Sequence, residues 1–254
     1  MSRTTPPAGD PDRFRLAVCL PTYNERENVE PIVRALGDVL AGAGLDARVL
    51  VVDDASPDGT GEVADRLAAE LPWVDVLHRG RKEGLGPAYL AAFRRALADG
   101  AELVMEMDAD FSHDPADVPR LVTAAEEADV VVGSRYAEGG GVRNWGAVRR
   151  TVSRAGCLYA QAILSLGIRD STSGFKVFRR AVLETIDLEA ISSKGYAFQI
   201  ENVYRAVRAG FRVVEVPITF VDRETGSSKM SRAIVAEAVV RVPALRLRAA
   251  LRRL

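Results

Sequence analysis

Hydrophobic and polar positions follow two rhythms along the chain. Short apolar runs occur at RLAVCLP (15–21), ARVLVVDD (47–54), WVDVLH (73–78), ELVMEMDAD (102–110) and ADVVVGSR (128–135), and segments with helical spacing lie between them at 25–41, 59–71, 86–98 and 115–127. Strand alternating with helix predicts an α/β fold, a mostly parallel sheet flanked by helices. Two helix starts carry end signals. Asn24 with Glu27 has the spacing of a capping box, and Asp114 before Pro115 offers an N-cap followed by proline at the first helical position.

The second half is less regular. GSRYAEGGGVRNWG (133–146) is too glycine-rich for a regular element; after it come a helix over 147–166, the segment DSTSGFKVFRR (170–180), a helix near 197–209 and the strand FRVVEVP (211–217). No internal repeat is visible. One domain is predicted over 16–229, preceded by an arm at 1–15 whose Pro, Gly and Asp content predicts disorder, and followed by a distinct tail at 230–254. From Arg241 onward the tail holds five arginines and no acid, set among Val, Leu and Ala. That pattern predicts a basic amphipathic helix lying on an anionic membrane surface, or on a membrane-anchoring partner protein, with Pro243 kinking or breaking it. The alternative is a surface helix docked on the domain with its arginines in water.

Composition narrows the picture. With 34 Lys and Arg against 35 Asp and Glu, the net charge of -1 argues against a nucleic-acid coat protein. Cys19 and Cys157 are too few for a disulfide framework, Cys19 falls in a core strand, and both read as core residues of a protein in a reducing cytosol. The N-terminus lacks the apolar stretch of a signal peptide, and no run reaches the roughly eighteen apolar residues of a membrane span.

Ligands of such sheets gather beyond the carboxyl ends of the strands, which collects PTYNE, VVDDASPDGT, MDADFSH and GSRY on one rim. In an extended strand Glu106, Asp108 and Asp110 share one side, while Met105, Met107, Ala109 and Phe111 share the other. Three acids that close repel, so something positive is expected among them. The D-x-D of Asp108 and Asp110 offers hard oxygen ligands suited to Mg²⁺ or Mn²⁺ bridging to phosphate, and Asp53 or Asp54 could accept from a base or ribose. There is no G-x-x-x-x-G-K-[ST], and GLGPAY lacks a dinucleotide fingerprint, so ATP hydrolysis and hydride transfer lose support.

Eight segments in order, LPTYNERENV, VVDDASPDGT, RKEGLGPAY, MDADFSHDP, VVGSRY, SGFKVFRR, SKGYAFQIENVYRA and EVPITFVDRETGSSKMS, resemble the dolichol- or polyprenol-phosphate mannosyltransferases of glycosyltransferase family 2. The likeness covers residues 16–232. It implies a GT-A fold that transfers mannose from GDP-mannose to polyprenyl phosphate with inversion, using Mg²⁺ or Mn²⁺. Carried onto this sequence, Pro21, Tyr23 and Glu25 match the nucleotide-binding first loop, and Asp53 the acid near base or ribose. Asp108 and Asp110 match the metal-binding pair, with Ser112 as the third metal contact and His113 supporting the loop. Arg135, Arg149, Arg223 and Lys229 match basic positions around the two phosphate groups. Arg135, Arg223 and Lys229 fall on the donor side, with Asp108; Arg135, Arg149 and Arg223 face the acceptor phosphate. Asp108, Asp110 and Arg149 are thus the implied catalytic residues.

The resemblance also simplifies the chemistry. A phosphate monoester has its second pKa near 6, so such an acceptor is already nucleophilic and needs no protein base. The glycine- and serine-rich RETGSSKM segment is expected to close over bound nucleotide. The implied location is the cytoplasmic face of the membrane, peripherally bound. Three other readings are weighed: a UDP-glucose-dependent polyprenyl-phosphate glucosyltransferase; a D-x-D phosphohydrolase, which would place its nucleophilic aspartate after the first strand, where this chain has PTYNE; and a catalytically silent binding module.

Overall fold

A computed structural model describes residues 15–191, 193, 195–222 and 232–251 of the 254-residue chain. In chain order the elements are β1 (Leu16–Thr22), α1 (Arg26–Gly42), β2 (Ala47–Asp53), α2 (Thr60–Glu70), β3 (Val74–His78), α3 (Leu85–Ala98), β4 (Leu103–Glu106), a 3-10 turn (Pro115–Asp117) leading into α4 (Val118–Ala124), β5 (Val130–Ser134), β6 (Gly141–Arg143), α5 (Ala147–Leu164), β7 (Lys176–Arg179), α6 (Arg180–Thr185), a second 3-10 turn (Leu188–Ala190), α7 (Gly195–Arg208), β8 (Val213–Pro217), β9 (Thr219–Val221) and α8 (Arg232–Ala250).

Seven strands form one sheet in the order β3-β2-β1-β4-β7-β5-β8, and β6 pairs with β9 separately. The sheet is mostly parallel, as expected, but β7 runs antiparallel to both β4 and β5. The reversal matters for the rim. It sets Lys176, the first residue of β7, directly opposite Glu106, the last residue of β4.

Two apolar cores cover the two faces. Leu16, Val18, Leu20, Val49, Val51 and Met105 pack with Val29, Ile32 and Leu36 of α1. Ala17, Cys19, Leu50, Val52 and Val104 pack with Phe93 of α3 and Phe198 of α7. This is the period-two alternation of strands buried on both sides. A third cluster holds α8 down: Val242, Leu245 and Ala249 pack against Ala160 and Leu164 of α5 and Ile200 and Tyr204 of α7.

Several expectations change. Asn24 takes φ +58 and gives its N–H to Ser56 Oγ (3.1 Å), so Glu25 is the N-cap of α1 and no capping box forms. Asp114 does cap, accepting from Ala116 N (2.9 Å), but it opens a 3-10 turn, and α4 ends at Ala124. The glycine-rich stretch after β5 contains a short strand, β6. The helix of the tail runs through Pro243 unbroken, and it is docked on α5 and α7. The arm to residue 14 and the predicted boundary at 229 and 230 lie outside the described residues.

The DxD segment is the most informative correction. Extended structure stops at Glu106, so the alternation does not carry on to Asp110. Met105, Met107 and Ala109 do reach one core, whereas Phe111, at φ +58, is 39% exposed. Glu106 is fully buried, whereas Asp108 is 35% exposed. The positive group expected among the acids is Lys176, 3.5 Å from Glu106 Oε2.

Candidate active site

The rim gathers the ends of β1, β2, β4 and β5 with the loops that follow them. After β1, Tyr23 lies under the Lys82 ammonium, 3.6 Å from the ring centroid. Glu25 is pinned by its N–H to Thr60 Oγ1 (3.0 Å) and takes Asn28 Nδ2 on its carboxylate (2.8 Å). Pro21 is partly buried within β1, paired with Val52 of β2.

The two acids at the end of β2 separate by their partners. Asp54 is committed to Arg79 and to Glu83 N (3.4 Å). Asp53 accepts Ser56 N at 3.2 Å through Oδ2, while its buried Oδ1 has no hydrogen-bond partner among the described residues. Because a buried acceptor left unmade is costly, Asp53 is the acid of the two that suits a ligand donor. A Cβ on Gly61 would come within 3.1 Å of Asp53 Oδ2, so glycine there keeps α2 close behind the carboxylate.

At the end of β4 the chain turns around His113. Asp108 N donates to His113 Nδ1 (3.1 Å), which makes Nδ1 an acceptor and puts any neutral-state proton on Nε2. The ring is buried, stacked on Phe175 at 4.8 Å and edge-on to Phe220 at 5.3 Å, and burial pulls its pKa down to about 3. His113 therefore supports the loop as a neutral imidazole. Asp110 Oδ1 accepts Ser112 N at 3.1 Å, and Ser112 O accepts Val221 N at 3.2 Å, tying β9 to this turn. Asp108 is 35% exposed, Asp110 is buried and Ser112 is buried beside it.

These residues fit a divalent ion that completes its shell with ligand oxygens. No group of three His, Cys, Asp or Glu side chains able to hold a metal occurs among the described residues. Two carboxylates on an accessible turn are what a Mg²⁺- or Mn²⁺-bridged diphosphate requires, the phosphates supplying the rest.

Across the rim the groups are cationic and already engaged. Arg135, just past β5, is buried and makes a two-pronged pair with Asp170 (Nε to Oδ2, 2.7 Å; Nη2 to Oδ1, 2.6 Å) and a bond to Thr172 Oγ1 (2.7 Å). Burial opposes ionisation of Asp170, but Arg135 outweighs it and the pKa falls. Arg149, on the first turn of α5, pairs with Asp222 at 2.5 Å and lies 4.4 Å over the ring of Trp145. Trp145 Nε1 and Arg149 Nε are both buried without a partner among the described residues. Arg223 and Lys229 lie outside the described residues.

Behind Arg135 and Thr172 opens a cavity of about 310 Å³, walled by Val152, Gly156 and Tyr159 of α5, Tyr196 and Ile200 of α7, and Val242 of α8. Tyr159 OH donates to Val239 O (2.8 Å), clamping α5 to α8. Among the described residues, every exposed large hydrophobic except Phe111 lies on these two helices or directly after α8: Val148, Val152 and Leu158, then Val239, Val240, Leu247 and Leu251. No described helix is long and apolar enough to cross a membrane.

The structure thus brings together Asp53, Asp108, Asp110, Ser112, Arg135 and Arg149 around one rim. Asp170, Asp222, Trp145 and Lys176 are not among the residues the sequence singles out; a lone lysine in the apolar FKVF is the one signal that could have found Lys176.

The family model described as glycosyl transferase family 2 matches residues 17–187. The chain is 51% identical over 229 residues to a protein of Micrococcus luteus named undecaprenyl-phosphate mannosyltransferase, covering 90% of this chain and 93% of that one. It is 50% identical over 230 residues to the polyprenol monophosphomannose synthase of Mycolicibacterium smegmatis, covering 90% and 85%. The crystal structure of glucosyl-3-phosphoglycerate synthase from Mycobacterium tuberculosis with Mn²⁺, UDP-glucose and phosphoglyceric acid superposes with a TM-score of 0.65 at 20% identity, over 90% of this chain and 80% of that one.

Proposed function

Because the chain belongs to glycosyl transferase family 2, we propose that it transfers mannose from GDP-mannose to polyprenyl phosphate, with inversion, at the cytoplasmic face of a membrane. The near-full-length identity to two relatives named for polyprenyl-phosphate mannose transfer is the observation that carries this reading. The geometry supports it: carboxylates on one side of the rim, guanidinium groups on the other, and an apolar cavity beside the latter.

In this reading Tyr23, Glu25 and Asp53 receive the nucleoside, and Asp108 and Asp110, with Ser112 adjacent, hold Mg²⁺ or Mn²⁺. When bound, the ion neutralises charge on the diphosphate leaving group. Arg149, carried on Trp145, receives the acceptor phosphate, with Arg223 completing that side; Lys229 and Arg223 serve the donor diphosphate. Arg135 holds Thr172 and the acceptor wall in place through Asp170. The acceptor dianion attacks the sugar directly, so no residue here removes a proton, consistent with a buried, neutral His113.

The prenyl chain of the acceptor stays with the bilayer. The exposed Val240, Leu247 and Leu251 of the α8 region, spaced as one helical face, sit among exposed arginines at 246 and 248, and α5 adds Val148 and Val152. Such a surface suits an anionic membrane or a membrane-anchoring partner protein.

The test is incubation with GDP-mannose or UDP-glucose, with Mg²⁺, Mn²⁺ or chelator, and a short polyprenyl phosphate. Mannosyl lipid from GDP-mannose, lost on chelation, is expected. Preferential consumption of UDP-glucose would replace this reading with the glucosyltransferase one.

A further inference from the structure

We propose that Gln199 of α7 reads a hydroxyl of the donor sugar, an inference that rests on the glycosyl-transfer reading above. Gln199 is buried beneath the Asp108 turn, where Lys176 Nζ donates to Ser173 O (2.5 Å) and to Gln199 Oε1. An ammonium can only donate, so chemistry fixes the amide's orientation: oxygen toward Lys176, nitrogen away from it.

The nitrogen faces a particular space. Gln199 Nε2 lies 3.6 Å from the point where a Cβ on Gly174 would stand, and Asp108 Oδ1 lies 3.7 Å from the same point. Gly174 keeps that space open between a donor and an acceptor. A hydroxyl in contact with Gly174, just beyond that point, would accept from Gln199 and donate to Asp108, the carboxylate beside which a nucleotide sugar would sit.

Gln199 Nε2 has no hydrogen-bond partner among the described residues. It stands near enough to Glu106 to help lower a carboxyl pKa that burial raises, without a bond of normal geometry. A purely structural buried amide is normally bonded at both ends. Tyr89 OH is likewise buried without a described partner, and its pKa is pushed well up by burial and then by Asp108 and Glu106. An amide and a phenol therefore lie behind the Asp108 turn, polar groups of the kind a site that recognises a polyol would require.

Two variants test this in the full-length enzyme. Gln199→Glu keeps an oxygen for Lys176 and removes the donor. Gly174→Ala fills the space with a methyl that meets nothing closer than 3.6 Å, so folding is preserved. For each, kcat/KM is measured with GDP-mannose and with its monodeoxy analogues, alongside inhibition by GDP, which carries no sugar. The expected result is a loss of about tenfold to a hundredfold in kcat/KM with GDP-mannose, unchanged GDP inhibition, and one deoxy analogue whose penalty in the wild type vanishes in both variants. GDP inhibition that weakens in parallel, or a deoxy penalty that no variant removes, would make Gln199 a structural amide and overturn the proposal. Wild-type enzyme that transfers no sugar from GDP-mannose would instead sink the transfer reading and this inference with it.

Discussion

The donor side of the rim, at the ends of β1, β2 and β4, and the acceptor side, around β5 and α5, carry opposite charge and are held by different kinds of contact. On the donor side Asp110 Oδ1 accepts Ser112 N within its own turn, and the Asp108 backbone N–H is tied to the His113 ring. On the acceptor side the guanidinium groups of Arg135 and Arg149 each already have a carboxylate of their own. Two carboxylates on one turn offer hard oxygens to a metal ion, whereas an arginine that has a carboxylate of its own is held in place, Arg135 buried beside Asp170 and Arg149 over the ring of Trp145. The sequence alone shows candidate cations and anions along the rim, and the structure adds which carboxylate holds each arginine.

The largest effect expected from this contrast is on rate. Asp110→Asn should lower transfer by about a thousandfold, since a metal's charge stabilisation is worth several kcal/mol, and should abolish the response to added Mn²⁺. Initial rates across a metal titration check it, and a fully active variant would contradict the assignment.

Next come the buried pairs. Lys176→Met leaves Glu106 without its cationic partner in the interior, where burial already raises its pKa and now favours the protonated acid, and should cost about 3–5 kcal/mol of unfolding free energy in a denaturant titration. Asp170→Ala should do the same to Arg135, since that arginine is as deeply buried. Arg149→Ala is the milder change because the side chain is 19% exposed. It should raise the KM for polyprenyl phosphate by about tenfold, with GDP binding and the unfolding midpoint unaltered.

The smallest effect belongs to the outer surface. Arg34 pairs with Glu30 and Glu70, all substantially exposed. Arg34→Ala should leave both activity and the unfolding midpoint where they are, because long exposed ion pairs gain little against water.

Legibility follows the same divide. The strands from β1 to β5 show in the sequence because each is a continuous apolar run between helices, and the acids at their ends fall on one rim by the geometry of parallel sheets. The reversed strand β7 is not legible: KVFR is too short to announce a strand, and its direction depends on β4 and β5 far along the chain. The same holds for the partners of Arg135 and Arg149. Asp170 and Asp222 become partners only once the chain has folded, so spacing cannot find them. Asn24 shows the converse. Its capping-box spacing is correct locally, but a hydrogen bond to Ser56 across the rim draws it into a left-handed conformation outside the helix. Pro243 likewise sits within a helix whose packing on α5 and α7 outweighs the missing N–H.

The central claim is that a lipid-borne phosphate, positioned by Arg149, attacks the sugar itself without a protein base or a covalent enzyme intermediate. The most direct measurement is the anomeric configuration of the mannosyl lipid formed from GDP-mannose, read by NMR from its one-bond carbon–hydrogen coupling. The account predicts a single product with the configuration opposite to that of the donor. A product that retains the donor's configuration would contradict it.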